Sequence, residues 1–204
     1  MPSTLTGVER KLRWPDFKVV ATPPPGVPAQ AAAQTIPTHT AMGGLPHNVA
    51  PAGFKPIYQI PDTLVMNVFL DAASWRLSSV SQWTGADQVW LIKHEQGHYD
   101  IYALMVRDFY VRIRALIGQP FLDLAELHEQ MADHRAATIG RIAKLQEAYD
   151  ADTENSRNGG EQWTCWCAIQ RASQLHRTPL VAGADGRYLR IDLADALLAA
   201  GLAS

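Results

Sequence analysis

Cysteine is nearly absent. Cys165 and Cys167 are the only two in 204 residues, too few for a disulfide framework. They are separated by one residue rather than the two common in zinc knuckles, which reads as packing rather than a metal or redox site. No continuous apolar run is long enough to cross a bilayer. Neither sign of charge dominates: 18 Lys and Arg against 20 Asp and Glu leave a net −2 with no basic surface of the kind nucleic acid requires. The first residues, MPSTLTGVERKLRW, carry no apolar h-region, so no Sec-type signal is visible and the default expectation is cytoplasmic. Proline is scarce everywhere but in one place. Of 13 prolines, 11 fall in residues 1–61, so helix is largely excluded there and nowhere else.

What remains suits one domain with an appendage. Residues 1–61 read as a proline-rich extended segment forming part of the domain cover, with short extended pieces at Asp16–Ala21 and Ile57–Ile60. His39 and His47 read as surface histidines within it. Leu64, Met66, Val68 and Leu70 alternate with Val65, Asn67, Phe69 and Asp71, a strand with one wholly apolar face. Such a strand could hold an extended substrate backbone at a sheet edge.

Thr84 then caps a helix predicted over residues 85–117. In its middle lies His94-Glu95-Gln96-Gly97-His98, an H-E-x-x-H pentapeptide. Residues four apart share a helix face, so two imidazoles can bind one metal from the same side while the Glu between them reaches a bound water. His94 and His98 share their face with Leu91, Ile101 and Met105, which directs both inward. Asp100 lies about 200° round from His98 and reads as an anchor behind the helix. Gly118-Gln119-Pro120 stops the helix. Asp123 opens a second one, predicted to run to about Asp150 as the return arm of an antiparallel hairpin. Measured from the reversal near residue 119, the level of the histidines falls on residues 140–144, where no good zinc ligand stands and where Gly140 leaves room for close helix approach. His134 lies on the inward stripe, about 12 Å from that level. A third ligand is therefore expected from the polar loop after Tyr149, whose carboxylates are Asp150, Asp152 and Glu154. Residues 158–204 read as an extension of helix, hairpin and helix.

His94-Glu95-Gln96-Gly97-His98-Tyr99-Asp100-Ile101 resembles the signature of a bacterial domain-of-unknown-function family described as predicted secreted zinc-dependent proteases. Arg13-Trp14-Pro15-Asp16-Phe17, Ser74-Trp75 and Tyr149-Asp150-Ala151-Asp152-Thr153 resemble three further stretches of it. Where that family typically continues with x-H-G, this chain has Glu154-Asn155-Ser156, and the export signal implied by "secreted" is missing.

The resulting expectation is an α+β, zincin-like fold, a small sheet on a long helical hairpin, with residues 62–157 as a metallopeptidase core. His94 and His98 would bind Zn²⁺ and Glu95 would act as general base on a metal-activated water. Asp150 is the favoured third ligand because it belongs to the Y-D-x-x-T stretch, with Glu154, Asp152 and His134 as alternates. The partner would be a peptide or protein substrate. The rival expectations are a zinc-binding pseudoenzyme and a helical-hairpin interaction module without catalysis.

Overall fold

A computed structural model describes residues 3–154 and 156–157, and the elements expected beyond them lie outside the described residues. The described residues are α+β and form eight short strands and three α-helices: β1 (Thr4–Thr6), β2 (Lys18–Val20), β3 (Ala33–Gln34), β4 (Pro37–Met42), β5 (His47–Asn48), β6 (Tyr58–Gln59), β7 (Val65–Leu70), β8 (Trp75–Leu77), α1 (Gly85–Leu116), α2 (Leu124–Ala137) and α3 (Ile142–Thr153). Among the described residues no helix is long and apolar enough to cross a membrane.

β7 organises the main sheet. Met66, Val68 and Leu70 are buried on the face its alternation predicts, and with Leu64 they pack on Tyr99, Ala103 and Val106 of α1. The strand is central, not an edge: β1 pairs with it in parallel and β4 antiparallel. It therefore has no free side to offer an added backbone, which overturns the substrate-binding role expected of it. β8 is likewise flanked, by β2 in parallel and β3 antiparallel.

The edge strands are β1 and β4 in one sheet and β2 and β3 in the other; of these, β3 and β4 follow one another along residues 33–42 and pair first with β8 and then with β7. The seam between the two pairings is filled by Ser74, whose buried hydroxyl accepts from the Ile36 amide at 2.9 Å while the Ile36 carbonyl accepts from the Asp71 amide. The proline-rich segment thus supplies strands to both three-stranded sheets, and its Leu12 and Phe17 enter the core. β1, β3, β4 and β5 were not apparent in the sequence. They are two to six residues long and mostly polar, and become strands only because β6, β7 and β8 offer ladder partners.

α1 begins as expected: Thr84 Oγ1 accepts from the Asp87 amide. It ends where Gly118 takes a left-handed φ of 75° and donates to the Ile60 carbonyl. The return arm differs from expectation. It is not one helix to Asp150 but two, broken at Thr138–Arg141, where Thr138 adopts φ −123°, ψ −88° and a 3₁₀ turn covers Ile139–Arg141. Thr138-Ile139-Gly140 joins two β-branched residues and a glycine, a poor helix-forming run, and the Thr138 hydroxyl donates back to the His134 carbonyl. Gly140 lies in this turn with only the Arg135 carbonyl near it, so it is not the point of close helix approach.

Candidate metal centre

Gly97 is that point. A Cβ there would overlap the Tyr149 hydroxyl and ring, so glycine lets α3 lie directly against α1. Tyr149, fully buried, stacks on His94 at 4.9 Å and meets His98 edge-on at 4.9 Å. Its hydroxyl donates to the His94 carbonyl at 3.2 Å. Gln146, Tyr149, Asp150 and Thr153, at i, i+3, i+4 and i+7, form one face of α3, and that face is turned on the two histidines.

Hydrogen bonds fix the tautomer of each ring. The Gln146 side-chain amide donates to the His98 carbonyl at 2.9 Å, which turns its Oε1 to accept from His98 Nδ1. The Thr153 hydroxyl donates to the Tyr149 carbonyl at 2.7 Å, so toward His94 Nδ1, 3.3 Å away, it accepts. Both Nδ1 atoms therefore carry protons and both Nε2 lone pairs point at one spot. The two Nε2 atoms are 3.1 Å apart, and Asp150 Oδ1 is 3.1 Å from each.

Three acceptors converging in this way repel one another unless a cation stands among them. The group His94, His98 and Asp150 could hold a metal ion. The donor set fits one: ligand atoms about 2.0–2.1 Å from a tetrahedral centre lie roughly 3.3 Å apart. A proton on Nε2 can take the cation's place at this spot, and the charges of the group reflect that. Burial raises the Asp150 carboxyl, but hydrogen bonds from His94 and His98 and their charges hold it well below the usual carboxylate range. Burial lowers His98, yet the Asp150 hydrogen bond and the Glu95 charge more than offset it and hold the imidazole above its ordinary value.

Glu95 does not join this triangle. It is 3% exposed, and Oε2 has no hydrogen-bond partner among the described residues. It nevertheless lines the cleft that opens on the histidines, about 1490 Å³ in volume. One wall is the stretch 30–37, the free edge at β3. Trp83 and Trp90 also line the cleft, and Gln146 and Asp150 line it from α3. A buried carboxylate oxygen without a partner is costly, and its place in the cleft gives the cost a purpose.

Asp150 thus takes the third corner, but from the last turn of α3 rather than from a returning loop. The residues facing the histidines are 146–153, not 140–144, an offset of about two turns produced by the break at Thr138–Arg141. Of the alternates, Glu154 lines the cleft from an exposed, left-handed position at φ 48°. Asp152 and His134 stand outside the group of three, and Asn155 lies outside the described residues. Asp100 anchors the back of α1 as expected: it accepts from Gln96 at 2.6 Å, and Gln96 in turn binds the Leu12 amide and Arg10 carbonyl. His47 is exposed as expected, but His39 is half-buried and bonded to Tyr102. Gln146 and Thr153 were missed, although their spacing from Asp150 on one helix face was there to read.

A family described as a bacterial protein of unknown function (DUF922) matches residues 74–159, a span that contains α1, α3 and every residue of this centre. No curated protein and no solved structure matches the chain.

Proposed function

We propose that the protein is a zinc-dependent peptidase of zincin-like architecture. The observation that carries the reading is the pairing of three converging donor atoms with Glu95, whose buried Oε2 has no hydrogen-bond partner among the described residues and which lines the same open cleft. The donors, two imidazoles and a carboxylate, are those zinc takes in hydrolytic sites that keep a fourth position open. Bound there, Zn²⁺ would polarise a carbonyl and bring the pKa of a water toward neutrality. The protein's own residues do the rest. Asp150, Gln146 and Thr153 hold both rings with Nε2 inward. Glu95 takes a proton from the attacking water and returns it to the leaving amine. The free edge along residues 33–37 lies in the cleft wall, where an extended peptide can add its backbone to the sheet.

The test is metal analysis and hydrolysis of a quenched-fluorescence peptide library by reconstituted protein. Wild type should hold one zinc per chain. His94→Ala, His98→Ala and Asp150→Ala should lose it. Glu95→Gln should keep zinc and fold while hydrolysis falls by about two to four orders of magnitude. No zinc in wild type overturns the metal reading, and zinc without hydrolysis leaves a binding module.

A further inference from the structure

Glu95 and the zinc ligands leave room for one further contribution: the oxygen of an attacked carbonyl gains negative charge, and a hydrogen-bond donor on the protein would add to its stabilisation. One phenol stands on the same face of α1. Tyr102 lies four residues beyond His98 and seven beyond Glu95, about 40° and 20° round the helix from them and about 6 Å and 10.5 Å along it. Helical side chains lean toward the amino-terminal end, which carries the phenol back toward His98. Tyr102 is half-buried and lines the same cleft as Glu95, His98 and Asp150.

Its hydroxyl is not left to rotate freely. His39, on β4, reaches across from the sheet, and its Nδ1 lies 2.7 Å from Tyr102 Oη. The rings are 5.9 Å apart at 50°. Burial, with the Arg135 charge nearby, lowers His39 below its ordinary value, so the ring is neutral at pH 7 and carries one N–H. Burial also raises the Tyr102 phenol, with the Thr38 hydroxyl partly offsetting, so the phenol keeps its proton. With His39 protonated at Nδ1, the histidine donates to Oη and the phenolic O–H remains for an acceptor in the cleft.

On the peptidase reading, we infer that Tyr102 is a catalytic residue whose hydroxyl donates to the carbonyl oxygen as it becomes an oxyanion, and that His39 is the residue that positions it. Water adds to the carbonyl carbon as Glu95 takes its proton, and the carbon–oxygen π pair moves onto oxygen. Tyr102 stabilises that charge by a hydrogen bond and transfers no proton. When the carbon–nitrogen bond breaks, the pair returns to the carbonyl and the Glu95 proton goes to the amine. A simple latch between β4 and α1 would give the same 2.7 Å bond, but it would not require Tyr102 to line the cleft beside Glu95 and His98.

The experiment uses the full zinc-loaded chain, a good peptide from the library, and a phosphinic peptide of the same sequence as transition-state mimic. Tyr102→Phe should keep one zinc per chain and a KM within about threefold, while kcat falls about 10²-fold. Affinity for the phosphinic peptide should fall by the same factor as kcat/KM, while affinity for the product peptide stays unchanged. His39→Leu should lose about tenfold in kcat, and His39→Asn, whose amide can donate from near the Nδ1 position, should recover most of it. Full kcat in Tyr102→Phe overturns the inference, as does an equal loss for mimic and product. Equal effects of His39→Leu and His39→Asn overturn the role of His39. A zinc-loaded wild type that cleaves nothing overturns the peptidase reading and takes this inference with it.

Discussion

Asp100 shows what a single buried carboxyl costs. It is 7% exposed, and burial pushes its pKa up to about 6, with the Gln96 hydrogen bond and the Lys11 charge only partly offsetting. A folded-state pKa above the unfolded value means stability that is complete below about pH 4 and lost as pH rises through about 6. Asn has the same shape, still accepts from Gln96, and has no charge to bury. Asp100→Asn should therefore raise the denaturant midpoint at pH 8, by up to about 2–3 kcal/mol of stability, and leave it unchanged at pH 4. Chelator in both samples removes any contribution from metal. A variant less stable than wild type at pH 8 would show that the carboxylate is needed in charged form. At this scale much of the site was legible. His94, Glu95 and His98 stood out by residue type and spacing, whereas Asp150 was favoured over Glu154, Asp152 and His134 only by its place in the Y-D-x-x-T stretch. Gln146 and Thr153 did not stand out, because uncharged residues that orient a ring are chemically ordinary until the ring is seen beside them.

The two helices that build the centre are unequally supported. α1 has a side-chain N-cap and a buried stripe from Leu91 to Leu116. α3 is 12 residues long, lacks a side-chain cap at its start, and buries only Leu145, Tyr149 and Thr153. A helix so short is marginal by itself, and Asp150 links it to α1 through the ligand group. Chelation should therefore speed amide hydrogen exchange across residues 142–153 well before it touches the middle of α1, and adding zinc should restore protection. Exchange that rises equally in both helices would show that the metal supports the whole domain and not α3. The break in this arm leaves no mark in the apolar pattern. The apolar stripe continues through Thr138-Ile139-Gly140, so periodicity reported one helix, while the backbone preferences that break it carry no apolar signal. Strand existence failed for a related reason. β7 has a pattern of its own, whereas Thr4–Thr6 and Pro37–Met42 take their structure from a neighbour distant in sequence.

At the scale of the molecule, the proline-rich segment is bound into the fold rather than laid over it. Deleting residues 1–44 removes β1 to β4, every ladder partner of β7 and β8, and the core residues Leu12 and Phe17. The truncated chain should show no cooperative thermal transition by circular dichroism, and a sharp transition near that of the full chain would prove the remainder autonomous. The same pairing has a mechanical side. Because residues 33–42 are stitched to one sheet by β8 and to the other by β7, with Ser74 closing the seam, neither sheet can swing without dragging its neighbour. The cleft is in this respect a vice with one fixed jaw. Whatever enters must conform to that edge, and widening has to come from the opposite jaw, the short helix that hangs from α1 beyond the 3₁₀ turn.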